Sequence, residues 1–111
     1  MRNTTAAAKD VKNYRTVDCY LANNDHGTAS IYANSVSCNA SNGRRIAFTD
    51  LSGDALRQET NCSQIWAVAK SDGDYDGTSL SYDHDNVMGI NWSRTVPASG
   101  VITLRSRFQS D

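Results

Sequence analysis

Six residues carry the sharpest chemical pattern in the chain: Asp72-Gly73-Asp74-Tyr75-Asp76-Gly77. Carboxylates at alternate positions, with glycines that let the backbone turn, bring oxygens toward one point, as a hard cation such as calcium requires. Counting onward, the twelfth position is Asp83 rather than the Glu that closes an EF-hand. No flanking helices are expected there, so the pattern reads as a calcium-binding β-loop with Asp72, Asp74 and Asp76 as ligands, joined by Asp83 or Asp85. The plainer alternative is a solvated acidic turn.

Other residue groups point less sharply. Asp83-His84-Asp85 has the composition of a carboxylate-oriented base, but the second histidine, His26, lies far off in a polar turn. His84 reads as an exposed turn residue. No G-x-S-x-G elbow occurs, and Cys62 in Asn61-Cys62-Ser63 has no recognisable partner, so no enzymatic activity is expected. Arg44, Arg45, Arg94, Arg105 and Arg107 are candidates for a basic patch. Arg105 and Arg107 alternate and would share a strand face, where a polyanion such as DNA could bind. Trp66, Trp92 and Tyr82 could stack on bases or sugars, although Ile65-Trp66-Ala67-Val68 reads as core.

Three cysteines, Cys19, Cys38 and Cys62, allow one disulfide in three possible pairings. Cys38 and Cys62 are the preferred pair, because both fall in the β-rich part of the chain while Cys19 falls in an expected helix. A small loop-rich chain with a disulfide suits an extracytoplasmic compartment.

The elements that must position these groups follow from periodicity. Residues 3–23 carry helical signals: Asn3 or Thr4 as cap, Ala6-Ala7-Ala8, and Tyr14, Val17 and Leu21 at spacings of three and four. Beyond Gly27 the period becomes two, and strands are expected at 29–33, 44–50, 64–70, 79–82, 87–93 and 101–108. Asn42-Gly43, Ser52-Gly53, Asp72-Gly73, Asp76-Gly77 and Ser99-Gly100 supply the turns. The expected fold class is α+β, an amino-terminal α-helix packed on an antiparallel β-sheet. Val11, Tyr14, Val17, Leu21, Trp66 and Val68 would form the helix-to-sheet core.

Composition agrees with a single, turn-rich domain. The chain has 111 residues and a formal charge of −1, which argues against a general nucleic-acid coat. Eleven Asp to one Glu, with ten Asn, thirteen Ser and nine Thr, favour turns and side-chain-to-backbone bonds over long helices. No apolar run is long enough to span a membrane. Met1 reads as an added start codon and the amino end as a cut.

The order Asn3, Ala6, Asp10-Val11-Lys12-Asn13 and Thr16 resembles the second half of the long amino-terminal helix of bacterial type IV pilins. The resemblance covers about the first twenty-five residues. It implies a truncated pilin head, with residues 1–24 as the remaining helix, 25–43 as the αβ-loop and 44–111 as the sheet and carboxyl-terminal loops. It further implies an inner-membrane precursor anchored by a missing apolar helix, other pilin subunits as partners, and an extracellular filament serving adhesion, twitching motility or DNA uptake. The truncated form would be monomeric. Two further readings stand beside it: a type II secretion pseudopilin, and a secreted β module that binds carbohydrate or polyanion.

Overall fold

The computed structural model describes residues 1–21 and 23–110, and it is mostly strand. Among the described residues the elements run β1 (Lys9–Asp18), β2 (His26–Tyr32), β3 (Ser35–Asn39), β4 (Arg45–Asp50), β5 (Leu56–Thr60), α1 (Cys62–Lys70), β6 (His84–Asp85), β7 (Val87–Val96) and β8 (Ser106–Ser110). They build two antiparallel sheets. One has the order β1-β7-β5, the other β6-β2-β3-β4-β8.

The centre is β7. Its residues 87–92 are all buried, because the strand is covered on both faces. Met88, Ile90 and Trp92 face the second sheet, where they meet Val36, Cys38, Ile46 and Phe48. Val87 faces the other way and packs with Ile65 of α1 and with Tyr75, flanked by Tyr14 and Val68. Three layers result: a five-stranded sheet, a three-stranded sheet, and a cover made of α1 and the loop after it. Gly89 fits this middle strand because the Tyr75 ring lies over it; a Cβ there would stand 2.7 Å from the ring.

An α+β fold with an amino-terminal helix is therefore not what the chain forms. Residues 9–18 are β1, paired along their full length with β7 from Lys9↔Val96 to Asp18↔Val87. Asn3, expected as a helix cap, is buried and does something else. Its amide donates to the carbonyls of Ala7, Val96 and Pro97 at 2.7, 3.1 and 3.2 Å, and its Oδ1 accepts from Thr5. This ties the alanine run into a turn beside β7, where its helix propensity has no ladder to join. The helix on which the pilin resemblance rests is absent from the described residues.

The one helix among the described residues lies where a strand was expected. Asn61 caps α1, its Oδ1 accepting from the Gln64 amide at 3.0 Å. Asn61-Cys62-Ser63-Gln64 is a polar cap with Gln at the third helical position, a legible start signal. On a 3.6-residue period Ile65 turns inward and is fully buried, while Trp66 points out and is 43% exposed. Trp66 is thus not core. Val11, Tyr14, Val17, Leu21 and Val68 are half-buried, Tyr14 and Val68 beside the α1 layer and Val17 and Leu21 beside the intersheet core.

Candidate functional site

The disulfide sets the first constraint. Cys19, just after β1, bonds to Cys38 of β3, which joins the two sheets. Cys62 is free and exposed on α1, so the expected Cys38–Cys62 pair does not form. The expectation failed because it placed Cys19 in a helix and Cys62 in a strand.

The Asp72–Asp76 loop does not gather its carboxylates. Asp74 Oδ1 accepts from Lys12 Nζ at 2.7 Å, Asn91 Nδ2 at 3.0 Å and Ser93 Oγ at 3.3 Å. Those bonds, the Lys12 contact foremost, hold its carboxyl below the ordinary value. Asp76 turns to Thr78, whose hydroxyl and amide lower its pKa in the same sense. Tyr75 points inward between them, so alternation sends the carboxylates to different partners. Asp72, Asp74, Asp76 and Asp83 do not converge as a ligand set. Among the described residues, the three-carboxylate group with oxygens within 4.8 Å of one another is Asp18, Asp25 and Asp85. Burial, then the charges of Asp25 and Asp85, pushes the Asp18 carboxyl upward. The sequence gives little sign of this trio, since it assembles only when β6 pairs with β2 beside the end of β1.

His84 is buried rather than exposed. Its Nδ1 lies 2.7 Å from the Tyr82 carbonyl, and its Nε2 lies 3.1 Å from Glu59 Oε2. A carbonyl only accepts, so Nδ1 carries a hydrogen. Glu59 is fully buried on β5; its Oε2 accepts from Asn86 Nδ2 at 2.8 Å and its Oε1 from the Leu80 amide at 3.1 Å. Burial raises the Glu59 carboxyl, against the pull of Asn86, Leu80 and His84. The cluster fastens β6 to the three-stranded sheet. Glu59 is the chain's one glutamate, and it lies on a strand, Leu56–Thr60, that falls outside the expected ones because Leu56-Arg57-Gln58-Glu59-Thr60 has no apolar alternation.

A groove of about 610 Å³ runs between Asp10, Lys12, Asp72, Ser93, Arg94 and Thr95. Its polar groups largely satisfy one another: Thr95 donates to Asp10 at 2.6 Å, Lys12 to Asp74, and Arg94 to the carbonyls of Ser93 and Gly53.

The outer face of the five-stranded sheet differs. Strand alternation turns Val36, Cys38, Ile46 and Phe48 inward and their neighbours outward. Register then arranges the outer side chains in three rungs: Thr28, Asn39 and Arg45; Ser30, Ser37, Ala47 and Gln109; Tyr32, Ser35, Thr49 and Arg107. Neither Arg45 nor Arg107 has a hydrogen-bond or ion-pair partner among the described residues, and β2, β3, β4 and β8 place no carboxylate on this face. Tyr32 is 60% exposed beside them. The small floor is organised by Asn39, which donates to Ser30 Oγ at 3.1 Å and accepts from Ser37. Of the expected basic patch, Arg45 and Arg107 share this face. Arg105 precedes β8 and is held through its backbone to Leu51 and Ser52, and Arg94 belongs to the groove. Tyr32 and Gln109 are residues the sequence reading missed; only the register of β2 and β8 brings them together.

Comparison with protein-family models, curated proteins and solved structures found no significant match.

Proposed function

We propose that the protein is a secreted binding module that uses the outer face of its five-stranded sheet to hold a polyanionic glycan. The observation that carries this reading is the pair of guanidinium groups, Arg45 and Arg107, which have no partner among the described residues and stand on the β4–β8 half of this face, while the carboxylate that the sheet places there, Asp85 opposite His26, lies at the far β6 edge. Arginine's planar fork suits sulfate and carboxylate groups, and two arginines whose backbone positions are offset by about 14 Å along the strands match the scale of a chain ligand rather than a single ion. Tyr32 offers a ring to a sugar, and Asn39, Gln109 and Thr49 offer neutral hydrogen-bonding groups. The Cys19–Cys38 disulfide supports an oxidising compartment. This reading, unlike the filament-subunit one, needs no amino-terminal helix.

Calorimetry at low salt with a sulfated polysaccharide, with neutral dextran as control, tests it. Binding to the sulfated chain alone is expected, weakening as salt rises. Arg45→Ala and Arg107→Ala should each reduce affinity and flatten the salt dependence, with thermal stability unchanged. Equal binding by both variants, or no binding at low salt, would remove the proposal. Tighter binding to single-stranded DNA than to the glycan would reassign the ligand.

A further inference from the structure

We infer that β8 is an association edge, and that its partner is β8 of a second copy of this chain. Sheet edges in native proteins are normally blunted by charge, brevity or covering chain. Three of the four free edges here follow that rule. The β5 edge is covered by the segment at 77–79: the Gly77 amide donates to the Arg57 carbonyl at 2.8 Å and the Glu59 amide to the Thr78 carbonyl at 2.9 Å. The β1 edge carries Lys9, Asp10, Lys12, Arg15 and Asp18, and β6 is two residues long with Asp83 and Asp85 at its ends. By contrast β8, Ser106-Arg107-Phe108-Gln109-Ser110, has one charge, no proline and no covering segment among the described residues.

Its backbone is set for pairing. The Asp50 amide reaches the Asn34 carbonyl on the β3 side, and the Leu51 amide reaches the Arg105 carbonyl on the β8 side. Ladder alternation then directs Arg107 and Gln109 toward β4 and leaves the N–H and C=O groups of Ser106, Phe108 and Ser110 pointing away from it. The sequence is close to palindromic about Phe108. An antiparallel pair centred there sets Phe108 against Phe108 of the second copy, Ser106 against Ser110, and Arg107 against Gln109. No like charges meet directly, and both outward-pointing rows of backbone groups are used. Phe108 is 52% exposed now, touching Phe48 at a ring separation of 5.2 Å, and the pairing would cover its free side. A five-residue edge gives a small interface, so the association is weak and concentration-dependent. It does not depend on the glycan reading, though it would make the two outer faces one continuous surface.

Sedimentation of the full chain from micromolar to millimolar concentration tests the inference. The mass should rise from 12.1 kDa toward twice that value. Ser110→Pro removes an outward N–H without touching the β4 ladder, and should hold the chain monomeric with an unchanged circular dichroism spectrum. In a Cys62→Ser background, Phe108→Cys should cross-link to itself under mild oxidation severalfold faster than Gln109→Cys, whose opposite residue is Arg107. A wild-type chain that stays monomeric to millimolar concentration overturns the inference. So does a folded Ser110→Pro variant that associates like the wild type, or cross-linking at equal rates from both cysteine positions.

Discussion

Trp92 Nε1 donates to Asp50 Oδ1 at 3.0 Å, so the largest buried side chain of β7 is tied to the last residue of β4 across the space between the sheets. The same carboxylate accepts from the amides of Ser52 and Gly53, at 2.8 and 3.0 Å, and its other oxygen from Ala55 at 3.0 Å. One side chain thus anchors the indole and folds the β4–β5 loop.

Replacing Asp50 by Ala leaves three amides and the indole N–H without their acceptor. The expected cost is roughly 3 kcal/mol or more. Urea unfolding measures it directly, and a cost under about 1 kcal/mol would mean that water satisfies these donors.

Acid stability depends on the same group. Burial pushes the Asp50 carboxyl upward, but the amides of Ala55, Ser52 and Gly53 and the Trp92 indole outweigh it, and its pKa lies below the ordinary value. Its contribution is therefore present above about pH 4 and is lost as the pH falls through the folded value. Asp50→Asn keeps an acceptor oxygen but no charge, so its stability should fall less steeply than that of the wild type below about pH 4. Parallel pH profiles of the two would reject this role.

Two neighbours on α1 should behave oppositely. Ile65 is fully buried, and Ile65→Ala is expected to cost about 2–5 kcal/mol. Trp66 is exposed, and Trp66→Ala should stay within about 1 kcal/mol. Fluorescence offers a second check, since Trp66 should be quenched by acrylamide more readily than buried Trp92.

The Gly89–Tyr75 contact leaves no room for a side chain. Gly89→Ala should cost about 1–3 kcal/mol or more, because the ring has to shift off β7. Tyr75→Leu combined with Gly89→Ala should recover part of the loss, and strict additivity would argue against the contact as the cause.

Reducing the Cys19–Cys38 bond opens a 19-residue separation, for which loop closure predicts a loss of about 3 kcal/mol. Cys62→Ser should leave unfolding unchanged, and loss of the disulfide's contribution in that variant would reinstate a Cys62 pairing.

What could be read from the sequence was the strand content of the middle and later chain. Arg45–Asp50 and Val87–Val96 lie close to the expected 44–50 and 87–93, since apolar alternation or a continuous apolar run marks them. The first strand was hidden because both its faces make contacts while none of its residues is fully buried. Tyr14 and Thr16 meet Tyr75 while Arg15 stacks on Trp92 at 4.9 Å, so β1 mixes polar and apolar residues without a clean period of two. Tyr14, Val17 and Leu21 then matched helical spacing by coincidence. The outer-face site was half legible: the arginines stand out, but whether Arg107 joins Arg45 or Arg105 depends on register, which local sequence does not specify.

The pairing of β1 with β7 has a kinetic meaning as well. The strand nearest the amino end finds its partner in Val87–Val96, and the Met1 amine closes on the Ile102 carbonyl at 2.7 Å. The segment from Lys9 to Val96 must be present before the three-stranded sheet can exist, and the entropy of closing that loop precedes any reward from the contacts. Folding should run on the slow side for this length, in milliseconds to seconds, with the meander β2-β3-β4 able to form first and wait for its cover. During translation β1 would emerge before β7 and stay unpaired until β7 follows, and its five charged residues are what would keep it from sticking to other chains in that interval.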